Sequence, residues 1–249
     1  MIIAVILAIS LFVTAESNAA DCEQPTNECN GTILTCCDSN FRMALGINSK
    51  CLINMSIFTA GHEMFVDPEC LRNEIEVLYA SGDLNGIFSV CSEFYKFQTC
   101  LGNSFKECTS PRWQIKNGVS YQQAELYATV FAQFNFACGA GLDTYINEDK
   151  CMSSLFKSNS DRLKKCRNEF YNNIAANPAM KCIYLEQLTA CYEKPFKDNC
   201  GVEAGWWGCE YERIGISLFY PECSPKCTGQ FLCTRKLTHS ETPSKDFTA

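Results

Sequence analysis

Histidine is nearly absent from this chain of 249 residues, which carries only His62 and His239. That shortage narrows the chemistry at once. A zinc site built on histidine needs three or more ligands in a fixed array. Gly61-His62-Glu63-Met64-Phe65 places a His-Glu pair together, but the second histidine of a zinc-protease helix is missing. A serine or cysteine nucleophile needs a neighbouring base, and no Gly-x-Ser-x-Gly turn is present to display one. Thr35-Cys36-Cys37-Asp38-Ser39-Asn40 begins like the calcium-binding helix of a secreted phospholipase, yet Phe41-Arg42-Met43 follows where the His-Asp pair would stand. Asn147-Glu148-Asp149-Lys150 lacks the alternate oxygen ligands and central glycine of a calcium loop. The expectation is a protein that is not an enzyme and needs no metal or cofactor.

Basic clusters and long apolar runs are also missing. The one apolar run, Ile2 to Val13, is followed by small residues that suit cleavage after Ala19 or Ala15. This is a signal-peptide pattern without the usual basic start, and it is shorter than the roughly 20 residues that span a bilayer. Further along, Gln133 and Asn135 interrupt the stretch from Tyr127 to Leu142, so no membrane span is expected. Without Glu16 the chain keeps 21 basic against 27 acidic residues. An acidic chain of this kind is a poor fit to the phosphates of nucleic acid.

Cysteine is what the sequence has in excess. Nineteen follow the leader: Cys22, Cys29, Cys36, Cys37, Cys51, Cys70, Cys91, Cys100, Cys108, Cys138, Cys151, Cys166, Cys182, Cys191, Cys200, Cys209, Cys223, Cys227 and Cys233. In an oxidising compartment such cysteines pair, and all are disulfide candidates. Asn30-Gly31-Thr32 and Asn54-Met55-Ser56 are glycan acceptor triplets, consistent with a secreted, extracellular glycoprotein. An odd count leaves one thiol, either buried or joined to a second chain as a disulfide-linked dimer.

Between the cysteines the pattern is helical. Ser120-Tyr121-Gln122-Gln123 reads as a capping box ahead of an apolar stripe of Ala124, Tyr127, Phe131, Phe134 and Cys138, with Gly139 as a left-handed stop. Asn177-Pro178 opens another helix, with Met180, Tyr184, Leu188 and Cys191 on one side. Further helices are expected over 72–80, closed by Gly82, and over 142–156 and 161–175. Cys91 and Cys100 are nine residues apart, two and a half helical turns, so they point to opposite sides. Each can tie its helix to a different neighbour. The same holds for Cys182 and Cys191, and for Cys191 and Cys200 if the helix continues.

The cysteine spacing also suggests an internal echo. Cys91, Cys100 and Cys108 map onto Cys182, Cys191 and Cys200 at offsets of 91, 91 and 92. Cys37, Cys51 and Cys70 map onto Cys138, Cys151 and Cys166 at offsets of 101, 100 and 96. The expected fold is all-α, a disulfide-stapled helical domain with two related helical halves. The segments are a signal peptide at 1–19, an N-terminal loop at 20–35, the helical domain at 36–233 with halves 36–137 and 138–233, and a disordered tail at 234–249.

The remaining conspicuous residues have ordinary explanations. Glu74 with Glu76 and Glu148 with Asp149 suit solvated helix faces. Trp113, Trp206 and Trp207 suit core packing. Ser81-Gly82 is a Ser-Gly dipeptide of the glycosaminoglycan-acceptor kind, but a helix end with Gly82 as its cap fits it better.

Cys91-Ser-Glu-Phe-Tyr-Lys-Phe-Gln-Thr-Cys100, Tyr127 through Phe136-Ala-Cys138-Gly-Ala-Gly-Leu, and Asp149-Lys-Cys151-Met resemble a nematode family of secreted cysteine-rich helical domains of uncharacterised function. The spacing Cys182-x8-Cys191-x8-Cys200, ending near Pro221-Glu-Cys223, is similar to that family too. Ticks and insects hold looser relatives, and a nematode chondroitin proteoglycan domain has a similar look. The resemblance implies an extracellular module and supplies no catalytic residues. The leading expectation is a non-enzymatic protein that recognises another extracellular molecule. A carrier of a lipid or small apolar ligand, suggested by the phenylalanines around 126–136, comes second. A matrix or proteoglycan-like structural component comes third.

Overall fold

A computed structural model describes residues 21–22, 27–47, 50–54 and 64–227. The expected signal segment at 1–19, His62, His239, Cys233 and the tail at 234–249 lie outside the described residues. The fold is all-α and disulfide-stapled. In chain order the helices are α1 (Gly31–Ala44), α2 (Pro68–Tyr79), α3 (Asn85–Leu101), α4 (Phe105–Cys108), α5 (Pro111–Lys116), α6 (Tyr121–Ala137), α7 (Leu142–Asn147), α8 (Asp149–Ala176), α9 (Lys181–Cys200) and α10 (Val202–Ile216). A small antiparallel ribbon, β1 (Leu52–Asn54) with β2 (Met64–Val66), precedes α2, with Ile53 opposite Phe65.

Local chemistry sets several helix starts. The side chain of Asn30 accepts the Thr32 amide at 2.8 Å and caps α1. That places residues 31–35 in a helix rather than in the expected N-terminal loop, because an Asn cap followed by Leu34 and Cys37 on the buried face favours helix there. Asp67 caps α2 through the Glu69 and Cys70 amides at 3.0 and 3.1 Å, with Pro68 in the first turn. The second helix therefore begins four residues before the expected Arg72. Ser120 caps α6 by accepting the Gln123 amide at 3.3 Å. The return bond of a full capping box is not made, since Gln123 Oε1 is buried without a partner.

Helix ends differ from expectation in two places. Gly82 adopts φ +75° after α2 as anticipated, but Gly139 is not left-handed and α6 ends on Cys138 at φ −89°. The break expected at 157–160 does not occur either. Lys157-Ser158-Asn159-Ser160 is polar but holds neither Gly nor Pro, so α8 runs unbroken for 28 residues and the interruption falls at Glu148.

Helix α6 is the core element. Its buried residues include Leu126, Val130 and Phe136 as well as Tyr127, Phe131 and Phe134, so it is covered on several sides rather than along one stripe. It packs against α2, α3, α5 and α10, while α9 lies between α8 and α10 and α1 lies on α3. Where α6 meets α10 the approach is close: a Cβ on Gly215 would sit 2.5 Å from Thr129 Cγ2 and 3.1 Å from its carbonyl oxygen.

Nine disulfides tie this arrangement together. They are Cys22–Cys36, Cys29–Cys108, Cys37–Cys100, Cys51–Cys70, Cys91–Cys138, Cys151–Cys200, Cys166–Cys191, Cys182–Cys223 and Cys209–Cys227. Cys91 reaches the end of α6 and Cys100 reaches α1, so α3 is held on opposite sides as its spacing requires. Cys182 and Cys191 likewise reach different neighbours, the segment after α10 and α8. Cys191 and Cys200 do not, since both bind α8. Pro195 lies between them and interrupts the helical ladder, so ideal-helix angles do not carry across it.

The pairing does not follow the echo in the spacing. Cys37–Cys100 would map to Cys138–Cys191, whereas Cys138 pairs with Cys91 and Cys191 with Cys166. Among the described residues only Cys91–Cys138 crosses the 137/138 boundary. Among the described residues no helix is long and apolar enough to cross a membrane.

Candidate functional site

Among the described residues, a charge cluster of two arginines and three glutamates stands apart from the smaller buried pair of Asp38 and Arg42. Arg72 and Arg167 are 0% and 1% exposed, and they share Glu69 and Glu76 from α2 and Glu212 from α10. Arg167 donates to Glu69 at 3.2 Å, to Glu76 at 3.1 and 3.3 Å, to Asn73 at 2.8 Å, and to the Tyr192 hydroxyl. Arg72 donates to Glu69 at 3.2 Å and to Gln133 at 3.0 Å, and Gln133 in turn donates to Glu212 at 3.2 Å. The cluster thus joins α2, α6, α8, α9 and α10.

The cluster shifts its carboxyls in opposite directions. Burial raises Glu76 above the usual carboxyl range, and Arg167 and Arg72 pull it only part of the way back. Burial also acts on Glu69, but there the two arginines outweigh it and hold the group low. Paired carboxylates with divergent shifts are what a general acid and base would need. Here, however, both arginines hold Glu69, which stays partly exposed, while Arg167 covers the buried Glu76 carboxylate. The arrangement locks helices together.

This cluster also corrects the sequence reading of the acidic pairs. Glu74 is paired with Lys50 at 2.8 Å on the surface, but Glu76 is a core residue. Asp149 is buried as well and accepts the Leu84 amide at 3.1 Å, while Glu148 lies half-buried beside it. The tryptophans behave as expected: Trp207 is fully buried, Trp206 packs edge-on against Phe136, and Trp113 donates its indole N–H to the Cys29 carbonyl at 3.2 Å.

The phenylalanine-rich helix α6 is filled rather than hollow. Phe131 stacks on Phe97 at 5.2 Å, and Phe134 meets Phe94 and Phe41 at 5.9 and 6.4 Å. Tyr127 closes on Phe131 at 4.7 Å. A cleft of about 470 Å³ lies between the turn before α3 and the start of α8. Asp83, Leu84, Ile146, Glu148, Asp149 and Lys150 line it, so polar and apolar side chains share its wall.

The exposed surface offers a different feature. Phe88 is 46% and Tyr95 72% exposed, seven residues apart on the outer face of α3. That helix is fixed by Cys91 and Cys100, so both rings stand on a rigid support. Tyr121, Val202 and Leu218 are also exposed, each elsewhere in the chain. Met180, expected on one side of its helix with Tyr184, Leu188 and Cys191, is 39% exposed and belongs to the 3₁₀ turn of Pro178–Met180 ahead of α9.

Of the two glycan acceptors, Asn30 is exposed. Its Oδ1 caps α1 while Nδ2 is the atom that would carry a sugar, so cap and glycan are compatible. Asn54 ends β1. Comparison with protein-family models, with curated proteins and with solved structures finds no match for this chain.

Proposed function

We propose that the protein is a secreted, non-enzymatic recognition module that docks another extracellular protein through the outer face of α3. The observation that carries this reading is the pair Phe88 and Tyr95, held outward on a helix stapled from both sides. Aromatic side chains are enriched in the buried centres of protein interfaces because they bring large contact area with few torsions to freeze. A helix already pinned has little further order to gain on binding. The short surface pair Lys96–Glu93, at 2.7 Å, supplies a polar edge beside the rings.

The interlocked rings around Phe131 favour recognition over transport of an apolar ligand, since the phenylalanines occupy the space a lipid would need. The resemblance to nematode secreted domains agrees with an extracellular role. The expectation of a covalent dimer rests on Cys233, because the nine bridges pair the other eighteen cysteines with one another.

The test is chemical cross-linking of the secreted protein in its native fluid, with wild type beside Phe88→Ala/Tyr95→Ala and a Tyr121→Ala control. A partner band lost in the double variant and kept in the control supports the reading. A band equally strong in all three places the partner elsewhere.

A further inference from the structure

Two bridges stand side by side at the start of the domain. The Sγ atoms of Cys22, Cys37 and Cys100 all lie within 4.8 Å of one another, although Cys22 is bonded to Cys36 and Cys37 to Cys100. Sulfurs already joined in disulfides are not the thiolates a metal needs, so this triangle is not a metal site. It is instead an arrangement in which one bridge can attack the other. Cys22 and Cys36 are half-buried, so a small molecule reaches the outer bridge, whereas Cys37 is sealed in the core at 1% exposure. Asn40 donates its side-chain amide to Cys22 Sγ at 3.3 Å. A donor aimed at sulfur favours the charged form of that sulfur.

We infer that Cys22, Cys36, Cys37 and Cys100 form a thiol–disulfide exchange site that takes a small extracellular thiol. The thiolate of that molecule attacks Cys36 Sγ and forms a mixed disulfide. The Cys22–Cys36 bond breaks, and its electron pair leaves on Cys22, where the Asn40 N–H stabilises it. Cys22 then attacks Cys37 or Cys100. A new bond to Cys22 forms, the Cys37–Cys100 bond breaks, and the displaced sulfur takes a proton from water. Each step exchanges one S–S bond for another, so the small thiol is the only co-reactant. The consequence is structural, because Cys37–Cys100 is the bridge that fastens α1 to α3. The exchange stands on sulfur geometry alone and does not depend on whether α3 docks a partner.

The test is native exposure of the full chain to a graded reduced/oxidised glutathione buffer, followed by acid quench, alkylation and peptide mapping. Glutathione on Cys36, with Cys22 joined to Cys37 or Cys100 and the displaced cysteine alkylated, is the expected result. Cys182–Cys223, far along the chain, should stay intact at the same poise. Reduction confined to Cys22 and Cys36, with Cys37–Cys100 whole, overturns the inference. Cys36→Ser supplies a second reading without any added thiol. It frees Cys22 within the triangle, so label should appear on Cys37 or Cys100, whereas label on Cys22 alone contradicts the exchange. Asn40→Leu should slow the wild-type reaction about fivefold, the worth of one hydrogen bond; an unchanged rate removes Asn40 from the step.

Discussion

Replacing Arg167 by Met is the sharpest probe of the buried cluster. Arg167 is 1% exposed and donates to groups on α2 and α9, while Glu76, which depends on it, is 4% exposed. Methionine fills much of the volume but leaves the Glu76 carboxylate facing a low-dielectric interior with Arg72 as its remaining cation. Breaking a buried pair from one side costs about 3–5 kcal/mol. In a chain of this size each kcal/mol lowers Tm by about 2–4 °C, so a fall of about 6–20 °C is expected. Circular dichroism melts with the disulfides intact measure it. The pH dependence gives an independent sign. Glu76 already titrates above its ordinary value of 4.5 because it is buried, and losing Arg167 raises it further. A group whose folded pKa is raised binds more protons folded than unfolded, so its penalty grows as pH rises through that window. The gap between wild type and Arg167→Met should therefore narrow in acid, where protonated Glu76 needs no cation. Adding Glu76→Leu should recover much of the loss. A deficit below about 1 kcal/mol would show that the pair behaves like a surface salt bridge and would refute the reasoning.

Other positions give simpler outcomes. Gly86→Ala should prevent α3 from seating, because its Cβ would fall 1.9 Å from the Leu78 carbonyl oxygen; expression yield and melting temperature would both drop. Opening the bridge with Cys91→Ser/Cys138→Ser, which spans a separation of 47 residues, should cost about 4 kcal/mol by loop closure and appear as an earlier denaturant midpoint. Ser120→Ala should cost about 1 kcal/mol through the lost α6 cap, again read from the denaturant midpoint. If Asn30 carries the proposed glycan, Thr32→Ala should remove it without disturbing the cap, seen as a mass decrease of the protein expressed through the secretory route with an unchanged melt.

The features that local chemistry decides were legible beforehand. Ser120 marks a helix start through its hydrogen bond and Gly82 a helix end through its backbone angle, Pro178 opens only the 3₁₀ turn ahead of α9, and the nine-residue spacing of Cys91 and Cys100 placed them on opposite sides of a helix. Long-range choices were not legible. Arg167 and Glu76 are separated by 91 positions, and nothing near Glu76 in the sequence announces that an arginine will cover it. Glu76 therefore reads as one more surface acid. The ribbon of β1 and β2 escaped because three-residue strands are too short to show alternation. The polar run at 157–160 looked like a break because composition alone does not distinguish a loop from the exposed face of a long helix. The candidate surface on α3 was hidden for a related reason: Phe88 and Tyr95 are as apolar as Phe94 and Phe97, and only packing turns the second pair inward.

The central claim is that opposed staples hold α3 between two different neighbours, α1 and the end of α6. Non-reducing proteolysis of the oxidised protein, with mass-spectrometric assignment of the linked peptides around α3, tests it most directly. The account predicts Cys91 joined to Cys138 and Cys100 joined to Cys37. Recovery of Cys91 bound to Cys37, or of both α3 cysteines bound to one neighbouring helix, would contradict it.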